Sequence, residues 1–302
     1  MVQSSEQEQV VRRISNSEAS AWLACQRRYF YQYGPEPLYP KTYSEPLTRG
    51  IIGHDALEQY YTALQNGATS YEALQISRSK LFSYIDHPTI IPETQTIIYD
   101  LDILLQQYVE QTDDSNWIIR SVEKMANLPL TSRYEYVLRL DLLVEERTSG
   151  KIILVDHKFV YNFWSMDEID MSPQIPKYVA TLRAQGVEID HFLLNQLRYR
   201  KLKSGVHEFK RSPVYPSQAK LRNAIKEQIA VSEQIANFRE LTPEAQFLTA
   251  LPVRQMYGAC KGCLVRDLCL SEYGGADITI AKELNYQKYD PFGYGYNKVE
   301  SL

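Results

Sequence analysis

Apolar and polar positions repeat with two different periods along this chain, and the change of period divides it. SNSEASAWLACQRRYFYQY reads as a helix opening at Ser15, with Glu18 three residues on in a capping-box pattern. Alanines, Trp22 and Leu23 continue it, and the proline-rich GPEPLYPK stops it. A second helix is predicted from about Arg49 to Gly67. Residues 71–110 read as helix in two pieces broken at HPTIIPE, with Leu101, Leu104, Leu105 and Tyr108 at helical spacing. The period then shortens. WIIRSVEKM, YEYVLRLDLLVEE and KIILVDHKFV are β-branched and apolar with short polar connections, so they read as three strands. SPQIPKYVATLRAQG returns to helix, with Pro173 near its start and Gly186 past its end. HFLLNQLRYRK and HEFKRSPV are strands, and a long amphipathic helix follows from about Ser217 to Phe238. This order predicts an α/β core under an N-terminal helical cap.

One strand breaks its own pattern. In GKIILVDHKFV the apolar run Ile152–Val155 leads into Asp156, His157 and Lys158. Buried charge is costly unless paired or bound. The connection ERTSGK centres near Thr148 and Ser149, and in an antiparallel hairpin turning there Asp141 falls opposite Asp156. Opposed residues have Cβ atoms about 4.5–5.5 Å apart, and Lys158 shares the face of Asp156. Two carboxylates so close repel unless a cation lies between them. Oxygen ligands suit Mg²⁺ or Mn²⁺, which would lower the pKa of bound water and stabilise charge on a phosphoryl oxygen. An isolated D-x-K reads more simply as a structural ion pair. The opposed Asp141 tips the balance toward a metal centre.

Bulk properties add constraints. The chain has 302 residues, 44% of them hydrophobic, and a formal net charge of -4, so it is large enough for a core but gives no global sign of a polyanion partner. The 23 tyrosines offer amphipathic contact area. The start MVQSSEQEQVVRR lacks an apolar signal core, and no apolar run approaches the roughly 20 residues of a bilayer span. A cytoplasmic protein of bacterial, archaeal or phage origin, without a membrane partner, is expected. The four cysteines should then be reduced, favouring metal or cluster ligation over disulfides.

Four motifs in order resemble those of the PD-(D/E)XK nuclease superfamily, specifically its RecB-like branch. That branch includes AddB-like, CRISPR-associated iron–sulfur and phage exonucleases. Gly50-Ile-Ile-Gly-His54 resembles the G-x-x-x-H motif with its metal-binding histidine. Asp141 resembles the family's strand aspartate, although Arg139 and Leu140 replace a small residue and an apolar one. Asp156-His157-Lys158 matches D-x-K, and Gln174 with Tyr178 matches Q-x-x-x-Y on one helix face. The resemblance implies a restriction-endonuclease-like core, a mixed central sheet flanked by helices. It implies metal binding by His54, Asp141, Asp156 and the backbone carbonyl of His157, with Lys158 helping to activate water. It assigns Glu123 as an additional acidic residue, and Gln174 and Tyr178 as support for the site. His87, His191 and His207 read as ordinary structural histidines.

Cys25 stands alone near the start, and Cys260, Cys263 and Cys269 form a triad near the end. This split resembles the [4Fe–4S] staple of the same branch, joining N- and C-terminal segments, and zinc is the alternative, since thiolates bind both. Arg27, Arg28, Tyr29, Tyr31, Arg49 and Lys261 are candidate DNA contacts by stacking or phosphate pairing. The expected division is 1–115 helical region, 116–245 nuclease core and 246–302 cysteine segment and tail, in one compact unit. The expected activity is Mg²⁺- or Mn²⁺-dependent exonuclease action on DNA, from single-stranded or free ends, in recombination, repair, replication, or phage or CRISPR DNA processing. A structure-specific endonuclease and a non-catalytic DNA-binding module are the alternatives. No G-x-x-x-x-G-K-[ST] is present, so a helicase or recombination or CRISPR partner would be a separate chain.

Overall fold

The computed structural model describes residues 12–41, 44–85 and 92–288. His87, the start of the chain and its tyrosine-rich end lie outside them. In chain order the elements are β1 (Arg12–Ser15), α1 (Asn16–Ala24), α2 (Gln26–Tyr33), β2 (Leu38–Pro40) and α3 (Glu45–Gln65). Then come α4 (Ser70–Phe82), α5 (Pro92–Gln111), β3 (Trp117–Pro129), β4 (Tyr134–Glu146) and β5 (Ile152–Val160). These are followed by α6 (Met166–Asp170), α7 (Gln174–Ala184), β6 (Ile189–Arg198), β7 (Glu208–Val214) and α8 (Gln218–Arg239). The series ends with α9 (Pro243–Thr249), α10 (Arg266–Tyr273), α11 (Thr279–Asn285) and β8 (Tyr286–Lys288).

Two compact units are built from these elements, and neither is one continuous segment. Among the described residues, one comprises 44–85, 92–126 and 139–224, and the other 12–41, 127–138 and 225–288. In the larger unit β4 and β5 form an antiparallel hairpin, β5 and β6 run parallel, and β6 and β7 are antiparallel. The expected α/β class with a mixed sheet is what the chain adopts. The hairpin pairs Leu142 with Val155, Leu143 with Leu154 and Val144 with Ile153. This is the register that the turn sequence predicted, and the ladder ends one residue short of Asp141 and Asp156. The α7 crossover joins β5 to β6, the connection a parallel pair requires.

One face of this sheet carries the main core. Leu142, Val144, Ile153, Val155, Leu193 and Leu197 pack with Ile52, Leu57, Tyr61, Leu101, Leu105 and Tyr108 of α3 and α5. Strand β4 alternates buried and half-buried residues along nearly its whole length; Leu142 and Val144 feed that core, while Tyr134 packs in a separate cluster of the smaller unit. Gly53 sits where α3 comes closest to β5. A Cβ there would fall 2.4 Å from Phe159 Cζ, whereas at Gly50 nothing lies within 4 Å. Gly53, one residue before His54, is therefore the glycine that the packing requires.

The smaller unit departs from the expected single first helix. Cys25 is extended, with φ −172° and ψ 118°, and separates α1 from α2. It still serves both helices: its N–H donates to Ala21 O at 3.1 Å, and its carbonyl accepts from Tyr29 N–H at 3.0 Å. Ser15 caps α1 as predicted, accepting from Glu18 N–H. Strand β1 was not foreseen; it pairs in parallel with Tyr134–Val137, a four-residue strand too short to show a period.

Glu18 is fully buried in this unit. Its Oε1 accepts from Tyr29 Oη at 2.9 Å and from Arg239 Nη2 at 2.5 Å. Burial pushes its pKa up from 4.5 to about 7, against the opposing pull of Arg239. Breaking such a pair leaves an uncompensated buried charge, so Arg239→Ala should lower urea-unfolding stability by about 3–5 kcal/mol. Because the folded-state pKa of Glu18 is raised, its contribution is fully present below pH 4.5 and is lost as pH rises through about 7. Glu18→Gln should therefore flatten the decline of the unfolding midpoint across that window.

Candidate active site

The centre forms where α3, β3, β4, β5 and α7 of the larger unit meet. His54 comes from α3, Glu123 from β3, Asp141 from β4, Asp156 and Lys158 from β5, and Gln174 from the first turn of α7. One ligand atom each from His54, Glu123 and Asp141 lies within 4.8 Å of the other two. His54 Nδ1 is 3.5 Å from Asp141 Oδ2, and that oxygen also accepts the His157 backbone N–H at 2.7 Å. Asp156 stands beside this trio with both oxygens engaged. Oδ1 accepts from Gln174 Nε2 at 2.9 Å, and Oδ2 pairs with Lys158 Nζ at 2.8 Å.

Glu123 reaches the group through an unusual backbone. Its φ of +48° is in the left-handed region, which costs a non-glycine residue of order 1–3 kcal/mol and is kept where surrounding structure demands it. Arg139 Nε pairs with Glu123 Oε2 at 2.5 Å, and Arg139 Nη2 lies 3.7 Å from Glu58 Oε2. The arginine that departs from the family pattern thus supplies positive charge among crowded carboxylates. Sequence reading missed Glu58, although its i+4 spacing from His54 on α3 was a usable signal.

Electrostatics suit a cation. Burial raises the pKa of Glu123, and Asp141 adds to the rise by repulsion. Burial also raises Asp141 and Asp156, with Lys158 opposing in both. His54 is pushed down to about 4, first by burial and then by Lys158, so its imidazole is neutral and able to ligate at neutral pH. A neutral imidazole and carboxylates short of positive charge, with donor atoms this close, fit a hard divalent ion.

The His157 side chain takes no place in this group. Its ring stacks on Tyr61 with centroids 5.3 Å apart, and Asn195 Nδ2 lies 2.8 Å from Nδ1. Asn195 also donates to Tyr108 Oη at 2.8 Å, and Tyr108 Oη lies 2.7 Å from Tyr61 Oη. Arg211 and Asp114 complete this buried network. Tyr178 is buried on α7, four residues after Gln174. His191 lies 2.9 Å from Asp190, and His207 Nδ1 lies 3.0 Å from Arg198 O, ordinary structural surroundings.

The four cysteines all belong to the smaller unit. All are half-buried. Burial raises Cys263, which also senses Cys25 and Cys260; burial raises Cys269 likewise, with Cys25 and Cys263 adding to it. Cys263 and Cys269 pack against Tyr31, Leu38, Val265, Leu268 and Tyr286. Four thiols from both ends of the sequence, shielded on one side by apolar residues, fit a thiolate-bound group. A tetrahedral zinc with bonds of about 2.3 Å would draw sulfurs to within roughly 4 Å of one another. No three of these cysteines form a group within 4.8 Å among the described residues.

Several expected DNA contacts are committed elsewhere. Tyr29 and Tyr31 are 0% and 2% exposed, so they cannot stack on bases. Tyr29 packs edge-on to Trp22 and Phe238 and donates to Glu18, and Tyr31 packs in a separate cluster with Leu38, Val265, Leu268 and Tyr286. Arg27 pairs with Glu272 and lies 3.9 Å over the Phe247 ring. Arg49 is buried, paired with Glu45 and Asp100. Arg28 is half-buried and donates to Gln32; Lys261 is exposed.

A family model of the PD-(D/E)XK nuclease superfamily matches residues 13–270. No curated protein matches significantly. Among solved structures, one described as a "putative exonuclease" from Eubacterium rectale is 12% identical, with TM-score 0.46, covering 82% of this chain and 85% of its own. Another, described only as SSO0001, is 13% identical, with TM-score 0.33, covering 72% of this chain and 84% of its own. Both likenesses are distant.

A carboxyl must lose its proton to ligate a metal, and Glu123 holds its proton to unusually high pH. Mn²⁺ affinity, measured by calorimetry, should therefore rise with pH across the neutral range, with proton release on binding. Glu123→Gln should weaken binding and remove most of that pH dependence.

Proposed function

This chain belongs to the PD-(D/E)XK nuclease superfamily, and from that premise we propose that it is a metal-dependent deoxyribonuclease acting from free, single-stranded DNA ends. The observation that carries the catalytic reading is the meeting of His54, Glu123 and Asp141 beside the Asp156–Lys158 pair. The mixed sheet with flanking helices fits the restriction-endonuclease-like core of that superfamily.

His54, Glu123, Asp141, Asp156 and the His157 carbonyl would hold Mg²⁺ or Mn²⁺. A divalent ion there supplies Lewis-acid stabilisation of phosphoryl charge and lowers the pKa of water. The chain's own residues do the rest. Gln174 donates to Asp156 Oδ1 and so fixes the carboxylate plane. Lys158, held by Asp156, can donate to a water or to the anionic phosphate as charge develops. The His157 N–H fixes the Asp141 carboxylate, and Arg139 limits repulsion around Glu123. Buried Tyr178 supports α7 beneath Gln174.

Cys25, Cys260, Cys263 and Cys269 are proposed as ligands of a [4Fe–4S] cluster. Its role would be structural, since a ligand shared by distant segments contributes folding energy. The biological setting would be DNA recombination, repair, replication, or phage or CRISPR DNA processing in the cytoplasm, with any helicase supplied by another chain. No described helix is long and apolar enough to cross a membrane.

Lys158→Ala and Asp156→Ala should each lower cleavage of end-labelled DNA in Mg²⁺ or Mn²⁺ at least about 100-fold, with the fold retained by circular dichroism. Wild-type rates in either variant would overturn the assignment. Intact circular single-stranded DNA would mark the activity as exonucleolytic, whereas its cleavage would mark an endonuclease. Protein purified without oxygen should be brown and contain iron, and Cys263→Ser should lose both iron and stability. Colourless protein carrying zinc would establish the zinc alternative.

A further inference from the structure

The loops leaving the carboxyl ends of β5 and β6 carry an arrangement that the metal centre does not use. After Val160 the chain reads Tyr161-Asn162-Phe163-Trp164; after Arg198 it reads Tyr199-Arg200-Lys201-Leu202-Lys203. Because β5 and β6 are parallel and Val160 pairs with Arg198, both loops emerge at one edge. In α/β sheets, ligands bind outside the carboxyl ends of parallel strands. Lys158 lies only three residues before Tyr161, so this edge adjoins the catalytic lysine along the strand.

The side chains form a cluster of aromatic rings and cations. Tyr161 and Tyr199 have ring centroids 5.8 Å apart, tilted by 60°. The Arg200 guanidinium lies 5.1 Å from the Tyr161 centroid, and that of Arg49 lies 5.0 Å from Tyr199. Arg198 lies 5.3 Å from the Phe163 ring. Backbone bonds fix both loops: Tyr199 N–H donates to Val160 O at 3.0 Å, and Trp164 N–H donates to Gln196 Oε1 at 2.7 Å. The platform is therefore built before any ligand arrives.

Charge distinguishes this patch from ordinary surface packing. Arg198, Arg200, Lys201 and Lys203 fall within six residues that contain no acid. Arg198 is neutralised by Glu208, and Lys201 by Asp100. Arg200 and Lys203 are exposed and pair with no carboxylate among the described residues. Tyr161 is 54% exposed. A ring with accessible surface beside uncompensated cations matches a ligand offering flat π-faces and phosphates together. Unpaired nucleotides do so, whereas a duplex hides its base faces and offers phosphates alone.

We propose that Tyr161, backed by Tyr199 and flanked by Arg200, is a stacking platform for unpaired bases of single-stranded DNA beside the metal centre. This rests on the nuclease reading and assigns its strand preference to particular residues. It also replaces the buried Tyr29 and Tyr31 as the stacking groups.

Fluorescence anisotropy of a labelled oligothymidylate in EDTA tests the platform without cleavage. Tyr161→Ala should weaken binding about tenfold or more, as loss of one stacked base does, while Tyr161→Phe should bind like wild type. Arg200→Gln should weaken binding and reduce its salt dependence. Blunt duplex should bind equally to wild type and Tyr161→Ala. Unfolding midpoints of all variants should match wild type. Unchanged oligothymidylate binding by Tyr161→Ala, equal losses on duplex, or no binding by wild type would each overturn the proposal. Parallel digestion with Mn²⁺ separates the two readings. Binding that depends on Tyr161 without cleavage by wild type sinks the nuclease and keeps the platform; cleavage with affinity indifferent to Tyr161 does the reverse.

Discussion

The approach of α3 to β5 at Gly53 sets the geometry on which the candidate metal centre depends. His54 and the Asp141–Asp156 hairpin come from elements about ninety residues apart in sequence, and only close helix–sheet packing brings their donor atoms within ligand distance. Phe159 fills the space that a Cβ on Gly53 would need, and its ring also lies edge-on to His54, with centroids 5.7 Å apart. One aromatic residue thus touches both the glycine that permits the approach and the histidine that uses it. A methyl group at Gly53 would require the Phe159 ring to move from its place beside His54.

The same strand is held from behind by polar groups. His157 lies between two functional residues, its backbone N–H fixing Asp141 while its ring is stacked on Tyr61 and bonded to Asn195. Stacking and hydrogen bonding together hold the ring, although His157 Nε2 and Asn195 Oδ1 find no hydrogen-bond partner among the described residues. The D-x-K strand is consequently gripped through its middle residue. The site side chains can be crowded with like charge without the backbone giving way.

Much of this was legible in the sequence. The turn ERTSGK fixed the hairpin register because the two-residue period allows only one arrangement with Leu142 and Val155 in the core. The long helices and strands showed their periods plainly. What stayed hidden depended on distant partners. Cys25 breaks a helix that local preference would continue. Glu123 adopts a left-handed conformation that no propensity favours. Glu18, which reads as a surface residue of a capping box, is buried because Arg239 and Tyr29 meet it. Tyr29 and Tyr31 looked like exposed aromatics until packing claimed them, while Tyr161 and Tyr199 lie in loops where periodicity is silent.

The smaller unit draws on three separated stretches of chain, which has a consequence for the order of synthesis. Strand β1 has no neighbour until residues 134–137 are made, and Glu18 has no cation until Arg239 follows. At roughly 5–20 residues per second, that carboxylate waits on the order of ten seconds or more as the chain emerges from the ribosome. The larger unit, whose described residues end at 224, has all its strands earlier. A growing chain therefore completes the stretch that carries the candidate site carboxylates before Arg239, the partner of Glu18 near the N-terminus, is made.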